Sequence, residues 1–264
     1  VSLRAGLGLA LGTLLAYLVF LVASFPAAVA VARWVPPQLG IDPGSVQGTV
    51  WNGALASLAI GGSRFGPIHW SARPLRLFLG EAAYDLDVAG EGLKAVGQVR
   101  WSLTGGTLAV RDLGLRFPAG LLHDLGVLAV GLEVGLEGTA EGHLGRVDWR
   151  PGELPLVQGE LDWKGAAIDF PAHLDLGEVA VRAKADDDSC EISWDGRPGT
   201  VDVGGALTLS PPLDYQVRLR VRPVRKLDAS ARSLLEMLGR PGPDGAYKLS
   251  FAGRIAQPPA PPGD

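Results

Sequence analysis

The sequence predicts a mainly β protein: an N-terminal transmembrane helix, then one large, strongly curved antiparallel sheet of about 13 strands with a few short helices. Three observations predict it. Residues 5–32 carry no charge. Beyond residue 45, apolar and polar residues alternate, as on strands with one face wet and one face packed. Turn-forming residues recur between these runs, at intervals of roughly 8–14 residues. An open sheet of more than ~10 strands tends to curl, split or close. A two-sheet sandwich is therefore the alternative architecture.

The run Ala5–Ala32 is longer than the ~20 residues a helix needs to cross a bilayer. Its densest part, Leu7–Val22, has no polar stripe, as expected where lipid touches every face. A cleaved signal peptide is the other reading. Ala28-Val29-Ala30 imitates a cleavage site, but the apolar stretch exceeds the roughly 7–15 residues usual for one. Arg4 and Arg33 flank the run, so charge alone barely orients it. A short tail before a long domain favours export of the domain. Trp34, just past the run, suits a membrane interface. Residues 1–33 then form the anchor (short cytoplasmic tail plus helix), 34–257 the β domain, and 258–264 a disordered tail.

The strands are legible from period two. Val179, Val181, Ala183 and Ala185 alternate with Ala180, Arg182, Lys184 and Asp186. Tyr215, Val217, Leu219 and Val221 alternate with Gln216, Arg218, Arg220 and Arg222. Tyr247, Leu249 and Phe251 alternate with Lys248, Ser250 and Ala252. A weak repeat of the form Gly-x-aliphatic-x-Trp occurs at Gly97–Trp101, Gly145–Trp149 and Gly159–Trp163, with a partial copy at Ile192–Trp194. Residues two apart share a face of a strand, so the repeat predicts strands added successively to one sheet. Short helices are predicted at Pro74–Leu79, closed by Gly80, and at Pro118–Leu125, closed by Gly126. The clearest helix is Asp228–Leu238: Asp228 caps it, Leu227, Ala231, Leu234, Leu235 and Leu238 form its stripe, and Gly239 and Pro241 stop it. These helices are expected to plug an open end or an edge.

Composition removes several function classes. Acidic residues number 28 against 24 basic, which argues against a nucleic-acid footprint. Cys190 is the sole cysteine, so neither an intrachain disulfide nor a thiolate metal cluster is possible. His69, His123, His143 and His173 stand apart from any second ligand at zinc spacing. Asp186-Asp187-Asp188 reads as a solvated turn rather than a calcium loop, which needs spaced oxygens and a Gly turn. The residues therefore predict no catalytic group, metal or cofactor. Arg218, Arg220 and Arg222 share one strand face, with Arg225 and Lys226 following. They are either the wet face of a half-buried strand or a contact for lipid headgroups or an acidic partner. The tryptophans beyond Trp34 build a core or line a groove.

Certain pieces, in this order, form a pattern. Gly48-Thr49-Val50-Trp51-Asn52-Gly53 follows the apolar run and a Pro-Pro segment. His69-Trp70-Ser71-Ala72-Arg73-Pro74-Leu75 comes next, then Leu79-Gly80. Arg222-Pro223, the Leu-rich helix, Asp244–Leu249 and Gly253-Arg254-Ile255 close the series. The chain resembles the type II secretion system protein N family over nearly its whole length. Gly48, Trp51, Asn52 and Gly53 carry the most specific part, and Asn52-Gly53 is a favourable hairpin-turn pair.

The resemblance implies a non-enzymatic accessory component of the apparatus that exports folded proteins across the outer membrane of Gram-negative bacteria. It would be a single-pass inner-membrane protein with its domain in the periplasm. Its partners would be other apparatus proteins, in the inner-membrane platform or the outer-membrane secretin. The family supplies no catalytic residue to carry over. An alternative is an AsmA-like lipid-binding or lipid-transfer module with an apolar groove. A third reading, an anchored cell-wall hydrolase, needs paired carboxylates or a metal, and the sequence offers neither constellation.

Overall fold

The computed structural model describes residues 3–34, 42–60, 63–124, 135–150, 152–169, 173–186, 189–211, 214–227 and 229–254. The predicted tail at 258–264, the Asp228 cap and Asp187-Asp188 lie outside the described residues, as do the side chains of Trp34, His123, Leu234 and Leu238.

The uncharged run folds as two helices, not one. Helix α1 spans Leu3–Ala23 and α2 spans Ala27–Trp34, with Pro26 at the break, where a proline ring cannot continue the helix. Every described side chain of α1, from Gly12 to Ser24, is exposed. Among the described residues, no helix is long and apolar enough to cross a membrane. The predicted span starts at Ala5, and the side chains of residues 5–11 lie outside the description.

Fourteen strands form one sheet. They are β1 Val46–Gly48, β2 Asn52–Leu55, β3 Leu58–Ile60, β4 Ser63–Ala72, β5 Glu81–Gly90, β6 Lys94–Ser102 and β7 Leu108–Pro118. Then follow β8 Gly135–Trp149, β9 Leu156–Asp169, β10 His173–Ala185, β11 Cys190–Arg197, β12 Val201–Ser210, β13 Asp214–Pro223 and β14 Tyr247–Arg254. Each strand pairs antiparallel with the next in sequence, except that β2 pairs with β4 and β3 sits beside β4 off the main path. The single sheet excludes the sandwich. It is neither closed nor strongly curled: β1 and β14 remain its two edges, so the expected strong curvature is corrected. Strand number does not force closure, since open sheets of about 8–15 strands exist when twist is relieved along them. Here β-bulges interrupt four of the pairings, β4–β5, β6–β7, β8–β9 and β9–β10, and each bulge bends its strand locally.

The bulges also keep the alternation in phase across the sheet. Trp70, Leu86, Val99, Val110 and Val147 fall on one face, and so do Leu161, Val181, Trp194 and Leu219. His69, Asp87, Arg100, Arg111, Arg146, Arg182, Arg218 and Arg220 occupy the other. The Gly-x-aliphatic-x-Trp repeats lie on β6, β8 and β9, with the partial copy on β11, as predicted. Strand β7 runs on to Pro118, and the helix predicted from there begins at Leu121 and is described over Leu121–Asp124, α3, while Leu125 and Gly126 lie outside the described residues. The segment Pro74–Leu79 is a 3-10 helix ended by Gly80 in the left-handed conformation.

Among the described residues, the two core clusters lie where helices cover the apolar face. Helix α2 packs Ala27 and Val31 against Val46, Leu55, Ile68 and Trp70. Helix α4, Ala229–Leu238, presses Ala231 and Leu235 onto Val179, Val201, Val221 and Tyr247. It plugs the rim formed by the turns after β11 and β13, as the sequence predicts. Over the middle strands Tyr84, Leu86, Val99, Leu108, Val110, Val147, Val157 and Leu161 are only half-buried, and Trp101 and Trp149 are exposed. The chain exposes 16963 Å², against roughly 11,000 Å² expected for a compact fold of this mass.

Candidate functional site

Two places gather the residues singled out by sequence: a joint between helix and sheet, and the polar face.

The joint is built by the hairpin loop between β1 and β2. Thr49 N donates to Asn52 O at 2.9 Å, and Thr49 Oγ1 accepts from Asn52 N at 3.2 Å. The bend is thus Thr49-Val50-Trp51, while Asn52 and Gly53 open β2, not the centre of the turn that their dipeptide favours. Gly48 has φ 85°, and a Cβ there would strike the Asn52 carbonyl. At Gly53 a Cβ would strike the Trp70 ring and the Gln47 carbonyl. Both glycines are therefore demanded by close packing.

Trp70 Nε1 donates to Thr49 O at 3.2 Å. Trp51 Nε1 donates to Val22 O at 2.7 Å, in the last turn of α1, where carbonyls have no partner within the helix. Val50 N donates to Phe25 O at 3.0 Å, and Pro26 bridges to Thr49. The most specific motif of the sequence is thus the fastening between α1 and the sheet.

On the polar face, Arg218 and Arg220 line a concave surface of about 490 Å³ with Arg182, Lys248, Ser193 and Asp195. Arg222 Nη2 donates to Asp202 Oδ2 at 2.9 Å, and Arg220 Nη1 lies 3.9 Å from the same oxygen. The predicted trio shares one face, with Arg218 and Arg220 lining the cleft and the buried Asp202 pairing with both Arg222 and Arg220.

A second cleft, of about 610 Å³, was not anticipated. Arg100, Arg111, Arg146 and Arg150 line it with Glu81, Asp148 and Glu153. Asp148 is ion-paired with Arg111 and accepts a hydrogen bond from Arg146. Burial pushes its carboxyl up, but the two guanidinium groups outweigh this and hold it below the ordinary carboxylate range. Arg100, Arg111 and Arg146 lie on three strands, β6, β7 and β8, and Arg150 just past the end of β8, so only register joins them. The available signal was that Arg100 and Arg146 sit inside copies of the Gly-x-aliphatic-x-Trp repeat, flanking the aliphatic residue.

The histidines and the cysteine, the candidate catalytic groups, are dispersed. His143 is 4.0 Å from Asp112 and His173 is 3.8 Å from Asp169, all exposed. His69 stands opposite Asp87 on the polar face, and the His123 side chain is outside the description. Cys190 is buried, and desolvation raises its thiol above the ordinary value. Among the described residues, no group of three or more His, Cys, Asp or Glu is placed to hold a metal.

The family model described as type II secretion system (T2SS), protein N, matches residues 40–250. A type II secretion system protein N from Aeromonas hydrophila is 26% identical over 92% of this chain and 96% of its own length. The protein of that name from Vibrio cholerae is 25% identical over 95% and 98%, and that from Pectobacterium carotovorum is 23% identical over 96% and 99%. No solved structure matches. The match begins just before β1 and ends within β14, so the chain belongs to the type II secretion system protein N family.

Proposed function

We propose that this chain is a non-enzymatic accessory component of a type II secretion apparatus. Helix α1 would anchor it by a single pass in the inner membrane of a Gram-negative bacterium, and its sheet would stand in the periplasm as a binding surface for other apparatus proteins. The observation that carries the reading is the one-layer sheet. Its apolar face is half-buried over the middle strands, and large unburied apolar surfaces mark sites of interaction. The uncharged run 5–32 and the all-round exposure of the apolar side chains of α1 support the anchor. Gly48, Trp51, Asn52 and Gly53 act as the structural joint. Arg218 and Arg220 offer a charged contact to an acidic partner or to headgroups, with Arg222 bracing the strand.

The same apolar face favours a second reading, an AsmA-like module holding acyl chains. Crosslinking in intact membranes separates the two, followed by mild-detergent purification and mass spectrometry of bound proteins and lipids. Apparatus subunits without stoichiometric lipid are the expected result. Stoichiometric phospholipid without those subunits overturns the first reading in favour of the second.

A further inference from the structure

The turns after β1, β4, β6, β8, β10 and β12 lie along one rim of the sheet, and α1 is fastened to that rim. A continuous series of hydrogen bonds leads along it. Trp51 Nε1 binds Val22 O at 2.7 Å, and Ala72 N donates to Trp51 O at 2.6 Å. The 3-10 helix Pro74–Leu79 follows at once, and Leu103 N donates to Gly80 O at 2.9 Å. This segment turns its apolar side chains outward: Leu75 is 78% exposed, Phe78 88%, Leu79 71% and Leu103 58%. A soluble surface rarely groups large apolar residues this way.

The polar groups around this ledge are ion-paired. Arg73 forms a bidentate pair with Asp85, and Arg76 pairs with Glu81. Beside the ledge opens the 610 Å³ cleft, where Arg100, Arg111, Arg146 and Arg150 outnumber Glu81, Asp148 and Glu153. Apolar side chains at a tip with cations behind them match a bilayer surface, where acyl chains lie beneath phosphate headgroups.

We infer that Leu75, Phe78, Leu79 and Leu103 are a second membrane contact: they enter the leaflet from which α1 emerges and set the sheet on its rim. This rests on the reading of α1 as the anchor. The contact adds a second point of support to the α1 joint and fixes the posture of the sheet, with the α4 rim pointing away from the lipid.

The test uses the full chain in vesicles of phosphatidylethanolamine and phosphatidylglycerol, with an environment-sensitive fluorophore on Leu18→Cys, Phe78→Cys or Met237→Cys. All three positions are exposed, so none is needed for packing, and the wild-type chain with its buried Cys190 is the labelling control. Lipids with brominated acyl chains are expected to quench positions 18 and 78 strongly and leave 237, on α4, accessible only to an aqueous quencher. Quenching at 18 but not at 78 overturns the ledge contact and leaves the anchor standing. No lipid quenching at 18 overturns the anchor, and the inference with it. Lipid quenching at all three positions means the sheet lies flat, which also overturns the posture inferred here.

Discussion

Trp51 Nε1–H is the sole side-chain donor seen reaching from the sheet to the last turn of α1 among the described residues. Trp51→Phe keeps the ring and removes that donor, at an expected cost of about 1 kcal/mol in fastening the helix. Cleavage at residues 24–26 in limited proteolysis should accelerate while the sheet's unfolding midpoint stays in place. Gly53→Ala acts differently, because its methyl group meets Trp70 and the Gln47 backbone; the sheet's denaturation midpoint should fall. Asp148 gives the chain an acid limit. Its folded pKa lies below the unfolded value, so its contribution is present above the unfolded pKa and is lost as pH falls through the folded one. Denaturant unfolding followed from neutral pH down to about pH 3 should show wild type losing this contribution below about pH 4. Asp148→Asn should be less stable at neutral pH and flatter across that window.

Helix α4 shows how an element is written locally and used globally. Its stripe of Ala231 and Leu235 was legible from helical spacing, and both are buried against strands that lie far away in sequence. Leu235→Ala removes a side chain only 1% exposed and should cost about 2–5 kcal/mol in chemical denaturation. Period two identified strands as reliably, because each strand here has one drier face. The misreadings have local causes. Pro118 resembles a helix start, yet it ends an edge-compatible stretch of β7 whose partner on β8 is Thr139. Asn52-Gly53 resembles a turn centre, yet the Thr49 hydroxyl moves the bend three residues upstream by binding the Trp51 and Asn52 amides.

The whole molecule is a sheet one strand-layer deep with helices over two patches of its apolar face. Trp101 and Trp149, exposed on that face, should matter for binding rather than folding. Trp101→Ser with Trp149→Ser is expected to weaken crosslinking to apparatus subunits severalfold, or acyl-chain capture if lipid is the ligand, with little change in unfolding stability. Alternation, turn chemistry and the uncharged run are short-range properties, so the sequence by itself determined the strand content, the wet and dry sides of each strand, the candidate anchor and the family. Which rim and which neighbours a residue receives depends on register across the whole ladder, including its bulges, and no local pattern encodes that. Only the tertiary structure could decide that Arg100, Arg111, Arg146 and Arg150 share one cleft, that Arg220 and Arg222 meet the buried Asp202, and that the apolar ledge at Leu75–Leu79 lies on the rim to which Trp51 fastens α1.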